Sequence, residues 1–132
     1  MSASSLRVQE FHARQMRALD DHRYAEFAAT FTADGVFHPA PGAPVLRTPA
    51  GIAEGLARLP AAEPLRRRRW LGQPALSTGP EGELLAVASA FVVTVWQNGD
   101  QRIGPSCLVR DELVLDGDSI LVRSRVVDHD DR

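Results

Sequence analysis

The hydrophobic periodicity of this chain changes once, and that change limits the folds open to it. Before Pro64 apolar residues recur at helical spacing; after it they alternate or run together between turn signals. From Leu6 to Asp20, Val8, Phe11, Met16 and Leu19 form one stripe, and Ser4 or Ser5 offers a hydroxyl to cap the first turn. Tyr24, Phe27, Ala28 and Phe31 form a second stripe over residues 23–31; "ADG" ends it, and "VFH" reads as a short strand. "TPAGIAEGLARL" is a third helix, with Thr48 as cap and Pro49 in the first turn, where its missing N–H costs nothing. Ile52, Leu56 and Leu59 make its inner face, and Pro60 closes it. The segments after Pro64 are β-rich. "QNGD" and "LDGDS" between them are hairpin signals, because Asn-Gly and Asp-Gly accept the positive φ of a tight turn. Helices followed by consecutive antiparallel strands give an α+β fold, three helices covering one face of a sheet.

Bulk properties narrow the function. With 132 residues the chain suits one domain, here residues 1–132. Its net charge of −2 and pI near 6.1 argue against a nucleic-acid partner. Cys107 is the only cysteine, so no internal disulfide forms, and no His/Cys spacing suggests a metal site. The start "MSASSLRVQE" has no apolar signal core and no apolar run reaches the ~18 residues of a membrane span. A cytoplasmic protein without a membrane partner is expected.

The segments "RALDDHRYAEFAATFTADGVFHP", "TPAGIAEGL", "RWLGQ" and "VRDELVLDGD" resemble the NTF2-like cone fold, in particular its SnoaL-like and ketosteroid-isomerase-like branches. The resemblance spans nearly the whole chain. It implies a mostly antiparallel, strongly curved mixed sheet wrapped by helices around an apolar pocket, a homodimer, and cofactor-free chemistry. It does not select one activity, since isomerases, dehydratases, cyclases and non-catalytic binders share the fold.

Four residues are candidates for chemistry. His38 stands where ketosteroid isomerases carry the aspartic acid that moves a proton, and imidazole titrates near neutrality; otherwise it closes the strand. Asp111 matches the family position of an aspartic acid kept protonated by an apolar pocket, so that it donates to an enolate oxygen. Ketosteroid isomerase is the standing example of that effect. Alternation along "CLVRDE" groups Cys107, Val109 and Asp111 on one sheet face; the plainer reading of Asp111 is a surface ion pair with an arginine on a neighbouring strand. Gln15 aligns with the isomerases' helix tyrosine and has an amide to donate, or it edges the core. Arg69 stands where scytalone dehydratase has a histidine. Guanidinium cannot act as a base, but it can hold a carbonyl or carboxylate, paired with Asp111, Asp128 or a substrate oxyanion; otherwise "RRRRW" is a solvated face.

Phe37, Trp70, Phe91 and Trp96 are expected either to floor a pocket for a flat substrate or simply to pack the core. Asp20 matches an acidic residue ending the dehydratase's first helix, and Asp128 joins it as a polar contact. His129 lies in a tail that orders ligands poorly, and His12 and His22 fall at helix edges with no assigned role. The leading expectation is proton transfer next to a carbonyl in a polyketide-like substrate: isomerisation, aldol-type cyclisation or dehydration. A non-catalytic binding or assembly module is the alternative, and an epoxide or lactone hydrolase built on Asp20, Arg69 and Asp111 a third. Homodimerisation is expected through the outer sheet face, because "LLAVASAFVVTVW" is apolar on both sides.

Overall fold

The structure, a computed structural model, describes residues 3–58 and 66–131. Leu59 and Pro60, read above as the end of the third helix, lie outside the described residues. Helix α1 runs Ala3–Asp20, α2 Tyr24–Ala28 and α3 Thr48–Ala57. The strands are β1 (Phe31–His38), β2 (Leu46–Arg47), β3 (Arg66–Leu71), β4 (Ala75–Thr78), β5 (Leu84–Val95), β6 (Gln101–Ile103), β7 (Cys107–Asp116) and β8 (Ser119–His129).

These strands form one curved, unclosed sheet in the order β2-β1-β8-β7-β5-β3, with β4 and β6 also paired to β5. Only β1 and β8 run parallel; the other pairs are antiparallel. Both expected turns form. At "QNGD" the Trp96 N–H donates to the Asp100 carbonyl at 2.9 Å and Gly99 takes a φ of 91°. Gly117, with a φ of 61°, turns β7 into β8. Both are left-handed conformations that glycine adopts without strain.

The α1 stripe is buried as its spacing predicts, with Val8, Phe11, Met16 and Leu19 inside. Ser4 and Ser5 do not cap it, because the helix already starts at Ala3. In α3 the Thr48 hydroxyl accepts the Gly51 N–H at 3.2 Å, which is the bond expected of a cap. α2 is shorter than its stripe suggests. Phe31 belongs to β1, where its ring packs with Phe27 and Phe37 at centroid distances of 5.4 and 5.8 Å. The same apolar contact satisfies a helix or a strand, so periodicity could not separate the two.

"ADG" does not end an element either; it lies within β1 as an irregularity. The β1–β8 register shifts between Phe31 and Val36. A Cβ on Gly35 would stand 2.9 Å from both the Phe31 Cβ and the Thr32 carbonyl oxygen. Backbone on one side cannot give way, so Gly35→Ala is expected to cost about 1–3 kcal/mol, read as a lower urea midpoint at unchanged slope.

A candidate ligand cavity and the ion pairs in its wall

Between the helices and the inner sheet face lies a cavity of about 300 Å³. Met16, Leu19, Phe27, Phe37, Leu56 and Val109 give it a mostly apolar wall. The loop after β1 adds Pro39, Ala40 and Ala43, so the stiff Pro/Gly segment does border the hollow. Three side chains with ionisable nitrogen line it: Arg69, Arg125 and His129.

The β7–β8 register explains two of them. Cys107, Val109 and Asp111 stand directly opposite His129, Val127 and Arg125, and alternation turns all six inward. Asp111 is therefore on the expected inner face, 4 % exposed. Its chemistry is not that of the protonated donor; it follows the plainer reading of an ion pair with a neighbouring-strand arginine, except that the pair is buried and not at the surface. Arg125 grips the carboxylate with two bonds, Nε to Oδ1 at 2.7 Å and Nη2 to Oδ2 at 2.8 Å. His12 adds a third, Nε2 to Oδ2 at 2.8 Å. Burial pushes the carboxyl upward, but the charge and hydrogen bonds of Arg125, helped by His12, outweigh it and hold the pKa at about 2. Asp111 is thus an ionised acceptor and not a protonated donor.

Gln15 is corrected in the same way. Its Oε1 accepts from Arg125 Nη2 at 2.6 Å and its Nε2 donates to the Thr30 hydroxyl at 2.7 Å, so both ends of the amide bind protein. Arg125 keeps one nitrogen, Nη1, without an acceptor among the described residues. Arg69 finds its partner in Asp20, through Nη1 at 2.7 Å and the backbone N–H at 3.1 Å. That leaves its Nε and Nη2 unspent among the described residues. Asp128 is exposed and paired with Arg110 at 3.4 Å, away from Arg69.

His38 is not among the residues lining the cavity. Phe37 takes the inner position, and alternation gives its neighbour the other face. The imidazole at the cavity is His129, ordered because β8 extends to it and pairs it with Cys107. Burial pushes the Cys107 thiol up, aided by Asp130 and Asp131, so it stays protonated. Among the four aromatics Phe37 packs the wall. Phe91 borders the cavity, but Ala90 beside it pairs with inward-facing Cys107, so the Phe91 ring lies on the outer face, stacked on Trp70, which is 58 % exposed and outside the cavity, as is Trp96.

Arg125 and His12 escaped sequence reasoning. His12 had a signal: Val8, His12, Gln15 and Leu19 share helical spacing, and two polar residues inside an apolar stripe need each other or a partner across it. Arg125 had none, since a bulge decides its face. The β7–β8 pairing shifts by one residue next to Leu113–Val122, leaving Arg123 without a partner.

An open-ended helix-and-sheet cone with a polar-studded apolar cavity defines a small-molecule-binding domain of the NTF2-like type. A SnoaL-like domain model matches residues 2–126, and the chain belongs to that family. It is similar to ActVI-ORFA from Streptomyces coelicolor, with 38 % identity, a TM-score of 0.91, and 99 % of this chain and 100 % of that one covered. A Catenulispora acidiphila protein solved in complex with S-DNPA is 36 % identical, with a TM-score of 0.90 over 100 % and 97 % of the two chains. Aln2 from a Streptomyces species is 32 % identical, with a TM-score of 0.84 over 99 % and 94 %. Among curated protein sequences no match is found. No described helix is long and apolar enough to cross a membrane.

Two outcomes follow from the ion pair. Arg125→Ala leaves a buried carboxylate without its main partner and is expected to cost about 3–5 kcal/mol in chemical denaturation. A carboxyl held at about 2, against an ordinary value of 3.8, stabilises the fold fully above pH ~5 and loses that effect as pH falls from about 4 through 2. Unfolding free energy is therefore expected to drop by about 2 kcal/mol more over that window in wild type than in an Asp111→Asn/Arg125→Met double variant.

Proposed function

We propose that this chain takes a flat, hydrophobic, carbonyl-bearing molecule with a polyketide-like skeleton into the cavity and moves a proton next to its carbonyl without a cofactor. Isomerisation, aldol-type cyclisation and dehydration all begin with that step. The observation carrying the reading is the cavity itself, an apolar hollow with two guanidinium groups and one imidazole in its wall. A pocket of about 300 Å³ lies at the small end of ligand sites. Arg125 and Arg69 are anchored by Asp111 and Asp20 and keep N–H groups to spare. Donors set in place before charge develops are the form in which a protein stabilises an enolate oxygen most effectively. His129 carries the proton, the role expected at first of His38. Phe37 and the other apolar wall residues shape the site. Membership in the SnoaL-like family and the neighbour solved with S-DNPA support the choice of ligand class.

One observation favours a second reading, a non-catalytic carrier: both guanidiniums are already paired, and the inner carboxyl Asp111 is an ion and not an acid. The hydrolase idea loses its geometry. Asp20 and Asp111 bind different arginines, so no Asp–Arg–Asp set forms around one water.

S-DNPA is the probe that tests the cavity. Calorimetric titration is expected to show binding by wild type and a loss of at least ~10-fold in Ala90→Phe, which fills the hollow. Incubation in D₂O is expected to place solvent deuterium in the bound compound, and His129→Ala to slow this by ~10²–10⁴ at similar Kd. Binding without exchange gives the carrier reading; no binding, or equal binding by Ala90→Phe, removes the cavity reading.

We also propose a homodimer through the outer face of β3, β5 and β6. There Trp70 and Phe91 stack at 5.9 Å and 7°, beside Ile103 at 74 % exposure. Light scattering after gel filtration is expected to show a dimer that Ile103→Glu converts to monomer.

A further inference from the structure

The buried network contains a group that the proposed chemistry does not use. His12 is 4 % exposed and its Nε2 lies 2.8 Å from Asp111 Oδ2. A carboxylate that stays ionised down to about pH 2 can only accept, so Nε2 carries the hydrogen and the tautomer is fixed. Nδ1 has no hydrogen-bond partner among the described residues. A buried, unpartnered ring nitrogen costs stability, so packing alone does not account for a histidine here; leucine would fill the same place among Val8, Phe11 and Met16.

Helical spacing supplies the reason. His12 and Gln15 stand three residues apart and so share one face of α1. From that face His12 holds the carboxylate of the Asp111–Arg125 pair and Gln15 holds its guanidinium, at 2.8 and 2.6 Å. The two helix side chains bracket the pair, and the nitrogen of the Arg125 guanidinium that has no acceptor among the described residues is Nη1, on a side chain in the cavity wall.

We infer that His12 is a positioning residue that acts through Asp111: it stops the carboxylate from turning about its axis and so holds Arg125 Nη1 toward the ligand. Without it, Asp111 Oδ2 keeps only Arg125. The pair can then rotate as a unit until Gln15 alone restrains it. His12 is not among the residues lining this cavity, and its effect is on the direction of a donor. This rests on the reading of Arg125 as the donor to the bound oxygen.

The test compares His12→Leu, which removes the N–H, with His12→Gln, whose amide Nε2 can donate from a similar place. Arg125 Nε–H is followed by ¹⁵N NMR without ligand, and S-DNPA affinity by calorimetry. The expected result is a broadened or shifted Arg125 signal and ~10-fold weaker binding in His12→Leu, with both restored in His12→Gln while each variant stays folded. An Arg125 signal unchanged in folded His12→Leu overturns the inference, as does equal loss of binding in both variants with the signal intact. Should His12→Leu fail to fold, His12→Gln and His12→Asn replace the comparison, because Asn is too short to reach Oδ2. Failure of wild type to bind S-DNPA removes the cavity reading alone, since the ligand-free NMR comparison still decides whether His12 orients Arg125.

Discussion

The buried pair of Asp111 and Arg125 constrains more of this molecule than any other contact. Taking two charges out of water costs several kcal/mol each, and their attraction offsets that only where the remaining lone pairs and protons are also satisfied. Here the side chains are 1 % and 2 % exposed, and satisfying them recruits residues from three elements and a connecting segment. β7 supplies the acid and β8 the base. α1 supplies His12 and Gln15, and Thr30, between α2 and β1, closes the chain through the Gln15 amide. Two apolar residues of similar size would pack these positions at least as stably. Stability therefore does not explain the charges; the proposed role of Arg125 as a fixed donor in the cavity wall would.

That wall repeats one device. Arg69 is held by Asp20 from the end of α1, as Arg125 is held by Asp111, so each guanidinium at the cavity has its own anion behind it. The cavity thus carries donors without a large net charge. In the proposed function such a wall would accept a neutral flat molecule and favour negative charge once that charge appears on an oxygen. The imidazole of His129 stands at the end of β8 beside the same hollow.

Much of the architecture was legible from the residue order. The helical stripe of α1, the capping hydroxyl of Thr48, the hairpins at Gly99 and Gly117 and the inward side of Cys107, Val109 and Asp111 all follow from local chemistry and alternation. The candidate site was half legible. Arg69 and Asp20 could be singled out from the family resemblance, and Phe37 as an aromatic that either floors a pocket or packs the core. For Asp111 an ion pair with a neighbouring-strand arginine could be named, but not that the arginine is Arg125 or that the pair is buried, since no local rule gives the face of a partner fourteen positions away. His38 misled for a related reason: a strand end shows a titratable side chain but not which side it leaves, and Phe37 competes for the interior more strongly. His129 was discounted as tail, although β8 pairs through to it.

The unpaired Arg123 on β8 has a wider meaning. Had the ladder run on regularly from Leu113–Val122, Arg123 would oppose Glu112 and Ser124 would oppose Asp111. Arg125, Val127 and His129 would then face outward, while Val126 and Asp128 would face the hollow. Two alignments of the last strand thus lie one residue apart and present opposite linings. Electrostatics arbitrates between them, since in the slipped alignment Asp111 would be a bare anion opposite a serine in a dry interior. The pair therefore pins the ladder, whatever it does for a ligand. Relatives that lost both its members together would be free to slide, and could line a hollow of the same shape with the other half of the strand's side chains.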